Sequence, residues 1–298
     1  MRFTNAFALV FMLLLGCRFQ AEAELLGFDI KLTNGYRQDS LSAKTEAAES
    51  YSGLTLNDNL KINSISLYEI GLQGKVTVLN FFARLDGTYG WAWSGHYHES
   101  LPLFSNNLSS LKSKVDTGNT KNWTFGVGYH FNVIPLCDWV KIGPMIGWSH
   151  DEQKFKMKSR SSGFSNLAYQ NCWQGPWAGI DLELQLCEFA LHTSYEYHYV
   201  NWEGKRHFNG EGSFSGALAN RLKSNHASGQ VLNLEGRWNF NLCWFAGIGI
   251  KVQEWQAIKG HLKTLKDKFG LNPSHRPDKL KDAHWKSFAI TLDLGFSI

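Results

Sequence analysis

Nowhere does the 298-residue chain run to the roughly 18 unbroken apolar residues that a membrane-crossing helix needs. A membrane form must therefore be a closed barrel, since only helices and barrels satisfy every backbone group in lipid. Charge of one sign is also lacking: 30 basic against 26 acidic residues are too balanced to imply nucleic acid as a partner. The five cysteines follow no zinc-ligand spacing. There is no phosphate-binding glycine loop, no Asp-x-Asp pair, and Gly212-Ser213-Phe214-Ser215-Gly216 misses the nucleophile-elbow spacing. No complete catalytic motif and no cofactor follow, so the chain is not expected to be an enzyme.

What is present begins with an export signal. Arg2, the apolar run Ala6 to Leu15 and the small-x-small pattern Ala21-Glu22-Ala23 read as a signal peptide over 1–23, cleaved after Ala23. Leu14-Leu15-Gly16-Cys17 also resembles a lipoprotein box, which would make Cys17 the N-terminus. Loss of Arg2, Arg18 and Glu22 leaves 28 basic and 25 acidic side chains over 24–298, enough chain for one large all-β domain. Twelve Trp, ten Tyr and twenty Phe sit in a chain whose mean hydropathy is only −0.28. Alternating membrane strands give that combination.

The alternation itself is legible. Phe288, Ile290, Leu292, Leu294, Phe296 and Ile298 share one face against Ala289, Thr291, Asp293, Gly295 and Ser297. Trp123 to Val133 and Leu79 to Trp93 repeat it, and further strands read near 25–36, 61–73, 139–150, 174–186, 189–201, 230–242 and 244–255. The expectation is an all-β, antiparallel up-and-down transmembrane barrel of about ten strands. Short turns fall near Gly71 to Lys75, Ile134 to Asp138, Leu186 to Glu188 and Asn241 to Trp244. Long loops are expected near 37–60, 95–121, 151–172, 203–228 and 257–285. Short periplasmic turns with long extracellular loops are the ordinary plan of outer-membrane barrels. Trp139, Phe189, Trp244 and Phe245 at the turn side, with Trp91, Trp93, Tyr197, Tyr199 and Trp255 at the loop side, read as two aromatic belts. A soluble lipocalin-like barrel or β-sandwich is the structural rival, but it keeps its connections short.

If the apolar face meets lipid, Lys31, Arg84, Lys141, Arg237 and Lys251 point inward beside Asp29, Glu69, Asp86, Asp181, Glu183, Glu196, Glu235 and Asp293. Such groups either pair across the lumen or line a narrow pore favouring cations. His192, Ser194, Glu196 and His198 share that inward face. Glu196-Tyr197-His198 is similar to the acid-x-His pair of omptin proteases, which also need a facing acidic pair. His96-Tyr97-His98 reads as a loop pair, too sparse for a metal site. The last loop is basic, with Lys259, Lys263, Lys266, Lys268, Arg276, Lys279, Lys281 and Lys286, and Leu262, Leu265 and Phe269 have helical spacing within it. Anionic lipid head groups or glycans suit such a surface.

Leu136-Cys137-Asp138-Trp139, Leu186-Cys187-Glu188-Phe189 and Leu242-Cys243-Trp244-Phe245 form a weak repeat, placing three cysteines at one rim with Cys172 toward the other. They are either small buried residues beside the aromatic belt or periplasmic disulfide formers. Together, the turn cysteines, Gly-aromatic strands and basic loops resemble the Protochlamydia outer membrane protein family, porins of chlamydia-like bacteria. That resemblance implies the outer membrane of a Gram-negative-type bacterium, passive diffusion of small hydrophilic solutes or ions, and no cofactor or catalytic residue. It also implies disulfide-linked envelope neighbours, for which Cys137, Cys187 and Cys243 are the candidates. The alternatives are a non-conducting structural or adhesin barrel acting through its basic loops, and an omptin-like surface protease.

Overall fold

The computed structural model describes residues 26–46, 57–101, 109–134, 137–158, 164–210, 217–240, 243–264 and 279–298. They form β1 (Leu26–Glu46), β2 (Asn57–Val78), β3 (Phe81–Leu101), β4 (Ser109–Tyr129), β5 (Phe131–Ile134) and β6 (Cys137–Lys158). The chain continues through β7 (Phe164–Leu186), β8 (Phe189–Gly210), β9 (Ala217–Asn239), β10 (Trp244–Thr264) and β11 (Lys279–Ser297). Every neighbouring pair is antiparallel. β4 and β5 form one wall broken at His130, and both pair with β6, so the eleven elements close as a barrel of ten walls. β1 pairs with β11, and the Phe28 and Ile298 backbones exchange hydrogen bonds of 2.7 and 2.9 Å. No sheet edge is left along this seam.

On β1 the residues Leu26, Phe28, Ile30, Leu32 and Tyr36 face outward and are exposed. That span is what a tilted strand needs to cross the hydrocarbon core. The ten wall strands nevertheless run 19 to 23 residues, β5 being the short remnant, so about half of each wall stands beyond the membrane. Past the apolar band the pattern changes phase along the same strand. Outward Tyr36 gives way to inward Leu41 and Ala43; outward Tyr199 to inward Trp202; outward Val252 to inward Trp255 and Ala257. Within lipid the apolar face points out; above it, water outside drives the apolar face in.

This extension corrects the loop assignments. Most of 37–60, 95–121, 151–172, 203–228 and 257–285 is strand, and His96 and His98 lie outward on β3 with Tyr97 buried between them. The turn placed at Gly71 to Lys75 is at Leu79–Asn80, leaving Lys75 on the barrel's inner face. Leu79 and Cys187 take positive φ at the start of two-residue turns, as tight hairpins require. Trp255 and Phe245 are each 1% exposed inside the barrel rather than in the lipid belts, because strand alternation allows only one of Trp244 and Phe245 to face out. Trp91, Trp93, Tyr197, Tyr199, Phe189 and Trp244 do face out. Leu262 lies in β10, which removes a helical turn there; Leu265, Phe269, Lys266, Lys268, Arg276, Gly212 to Gly216 and the whole of 1–25 lie outside the described residues.

Four tryptophans fill the extension. Trp173, Trp202, Trp255 and Trp285 are fully buried, with Trp255 stacked on Trp285 at 5.5 Å and Trp173 within 6.5 Å of the other three. Gly229 lies under Trp255, where a Cβ would overlap the indole. Overfilling such a site costs about 1–3 kcal/mol. Gly229→Val is therefore expected to lower the temperature at which the folded barrel loses its fast gel mobility, whereas Gly236→Ala, with no atom near its added carbon, leaves it unchanged. Equal behaviour of the two variants contradicts the packing.

Candidate functional site

Every acidic and basic residue placed inward by alternation lies on the inner face, and all but Asp29, Lys141 and Glu183 line one cavity of about 160 Å³ in the lumen. Several of them are bound to one another across it. Arg84 of β3 reaches Glu196 of β8, and its Nε lies 2.8 Å from Asp86. Lys31 of β1 reaches Glu235 of β9, which also holds Arg237 at 2.7 Å; Arg237 lies 3.7 Å from Asp29. Lys75 of β2 joins Asp181 at 3.3 Å and Glu183 on β7. Such pairs are required because a ten-wall interior is too narrow to hydrate these charges fully.

Toward the outer side the network meets the tryptophans. Arg37 donates to both oxygens of Asp39, at 2.8 and 2.9 Å, and to Glu69 at 2.8 Å, and its guanidinium lies 5.2 Å from the Trp285 ring. Gln153 donates to Asp39 at 3.4 Å and accepts from Asn171 at 2.9 Å; Asn171 in turn accepts from the Trp202 indole N–H. Arg37 and the Gln153–Asn171 pair, all 1% exposed or less, lie in segments whose sequence pattern reads as loop, and so have no counterpart among the residues expected from sequence.

The Glu196–His198 pair takes a definite form. His198 Nε2 lies 3.1 Å from Glu196, and its Nδ1 lies 2.9 Å from Ser149 Oγ. A Ser–His–Glu chain has the connectivity of a hydrolase. Here, however, the ring is wedged between Trp177 and Trp255 at 5.9 and 4.8 Å, and all three members are 2% exposed. The facing wall supplies the Arg84–Asp86 pair, and Arg84 neutralises Glu196. His192 and Ser194 share the inward face, Ser194 accepting from Asn233 at 3.0 Å. Lys251 and Asp293 line the same cavity.

The cysteines divide. Cys187 at the periplasmic turn is disulfide-bonded, while Cys243 and Cys172 are free. The Cys137 side chain lies outside the described atoms. Cys172 sits on the outer wall above the lipid band, between Glu152 and Glu203. Burial, then the charges of Glu152, Glu203 and Asp151, push its thiol up to about 11. Glu203, held by Arg221, Lys205 and Lys223, is itself brought down to about 2 against the opposing effect of burial.

A family model described as Protochlamydia outer membrane protein matches residues 31–298. The chain belongs to that family. It is an outer membrane β-barrel protein, with membrane lipid around its apolar band. No curated protein matches its sequence. Among solved structures, the outer membrane protease OmpT of Escherichia coli superposes with a TM-score of 0.67 at 11% identity, covering 94% of this chain and 99% of OmpT. Outer membrane protein OprG of Pseudomonas aeruginosa gives 0.38 at 11%, covering 91% and 95%. The Pseudomonas putida toluene transporter TodX gives 0.34 at 9%, covering 93% and 90%. The OmpT likeness is one of fold.

Arg84→Ala strands Glu196 and Asp86 in the lumen and is expected to destabilise the barrel by about 3–5 kcal/mol; the Arg84→Met, Glu196→Leu double variant, which leaves only Asp86 bare, recovers part of that loss in urea unfolding. An additive double variant contradicts the pairing. Because Cys172 is a thiol at neutral pH and its thiolate fraction grows about tenfold per pH unit below about 11, alkylation at Cys172 is expected to accelerate steadily from pH 7 to pH 10. A rate that levels off between pH 9 and pH 10, as for a thiol at its ordinary value near 9, contradicts the shielding by burial, Glu152 and Glu203.

Proposed function

We propose that the protein is a narrow, gated channel of the outer membrane, passing water and small ions rather than acting as a wide general-diffusion porin, and that it is not an enzyme. The observation that carries this reading is the charged cavity bounded by exchangeable ion pairs, with an apolar layer on its outer side. Arg84, Lys75 and Arg237 each face more than one carboxylate, so partners can be exchanged without leaving a charge bare. Above them, the tryptophan layer has the character of a dewetting gate. The acidic excess along the wall favours cations. Export through residues 1–23 belongs to the same reading, as does Cys243 as the free thiol for an envelope neighbour.

A second reading, a non-conducting barrel acting through its outer surface, draws on the tryptophan filling, which stiffens a platform beyond the membrane. Planar-bilayer recording separates the two. The expected outcome is rare, small, cation-preferring steps for the native barrel and frequent larger steps for Trp255→Ala with Trp285→Ala. Silence in both, with folding verified, overturns the channel and moves function to the outer surface.

A further inference from the structure

At the periplasmic end of the lumen, two carboxylates paired with Lys75 are joined by two histidines that the channel reading does not use. His130 comes from the break between β4 and β5, Asp181 and Glu183 from one face of β7, and His192 from β8, directly across from Glu183 in the ladder. His130 Nε2 lies 3.5 Å from Asp181 Oδ2 and 3.8 Å from Glu183 Oε1, and His192 Nδ1 lies 3.6 Å from the same Glu183 oxygen. The ligand atoms of His130, Asp181 and Glu183 all lie within 4.8 Å of one another. A four-coordinate ion with bonds of about 2.0–2.2 Å to nitrogen and oxygen sets its ligands roughly 3.3–3.6 Å apart. The protein already holds them near that spacing.

We propose that His130, Asp181, Glu183 and His192 bind a divalent transition-metal ion, in competition with the Lys75 ammonium. Lys75 Nζ stands 3.3 Å from Asp181, 3.5 Å from His130 and in contact with Glu183. A cation thus already occupies the focus of the cluster. Lys75 also lies over the Phe82 ring at 4.8 Å, and its flexible stem gives the ammonium a second place to go when an ion enters. Two imidazoles with two carboxylates suit Zn²⁺, Ni²⁺ or Cu²⁺ better than Ca²⁺ or Mg²⁺, which prefer all-oxygen shells.

The local fold is arranged around the first ligand. His130 lies outside the ladder of β4, its N–H held by Asn80 at 2.8 Å, which turns the ring inward. Phe82 stacks on that ring at 4.3 Å. Gly143 opposite leaves the space: a Cβ there would stand 2.7 Å from His130 Cδ2 and 2.9 Å from Phe82. The imidazole is therefore fixed in one orientation, as ligating histidines are.

Titration of the refolded barrel with Co²⁺, read by the visible absorption of the bound ion, tests this. One equivalent is expected to bind; Lys75→Met tightens it by about tenfold or more, and His130→Ala weakens it by at least about 100-fold, beyond what loss of a merely supporting group costs. His192→Ala serves as the second ligand variant should His130→Ala not refold. The assignment is overturned if neither the native chain nor Lys75→Met takes up a stoichiometric ion, or if binding survives both histidine variants. Conductance plays no part in this readout, so the channel and the metal site stand or fall separately.

Discussion

Lipid on the outside of a closed ten-wall sheet is the constraint on which the rest depends. Side chains alternate across the wall, so every residue hidden from lipid enters the lumen, and the chain has filled those positions with charge. The space is too narrow to hydrate them, and each must find an opposite charge on another wall. Arg84 with Glu196, Lys31 with Glu235, and Lys75 with Asp181 and Glu183 answer that demand from different pairs of strands. The barrel is thus tied through its centre as well as around its circumference.

Above the membrane the same sheet answers the opposite demand. With water outside, the inward face becomes apolar and the tryptophans close the lumen. Arg37 stands at the junction, bound to Glu69 on the lumen side and to Asp39 one step further out, and laid against Trp285. Polar lumen and apolar filling meet in one residue, and movement of either reaches the other through it. His198 does the same on the opposite side, bonded to Glu196 and Ser149 while packed on Trp255.

The strands were legible wherever a single environment held along them. Phe288 to Ile298 shows an unbroken period of two because lipid covers its whole outer face. The extensions were read as loops because the apolar set moves from outward Tyr36 to inward Leu41 within one strand; period is preserved, but phase reverses, and a broken phase looks like a broken strand. For the same reason Trp255 reads in sequence as a lipid-belt residue although it is buried in the lumen. In sequence His130 falls on the polar half of the alternating run Trp123 to Val133, and Lys75 closes the expected turn Gly71 to Lys75. Nothing local marks the two as neighbours, since 55 positions separate them.

By itself the sequence determined the barrel, its approximate strand number, most of its lipid-facing residues and the inward direction of most of its lumen charges, because alternation is a local property that lipid and backbone geometry impose residue by residue. Only the tertiary structure decided which charges pair, where the lumen is filled and which side chains, His130, Asp181 and Glu183, gather around Lys75. Those are matters of register and closure between walls far apart in the chain, and a one-residue shift in any ladder would have sent different side chains to meet.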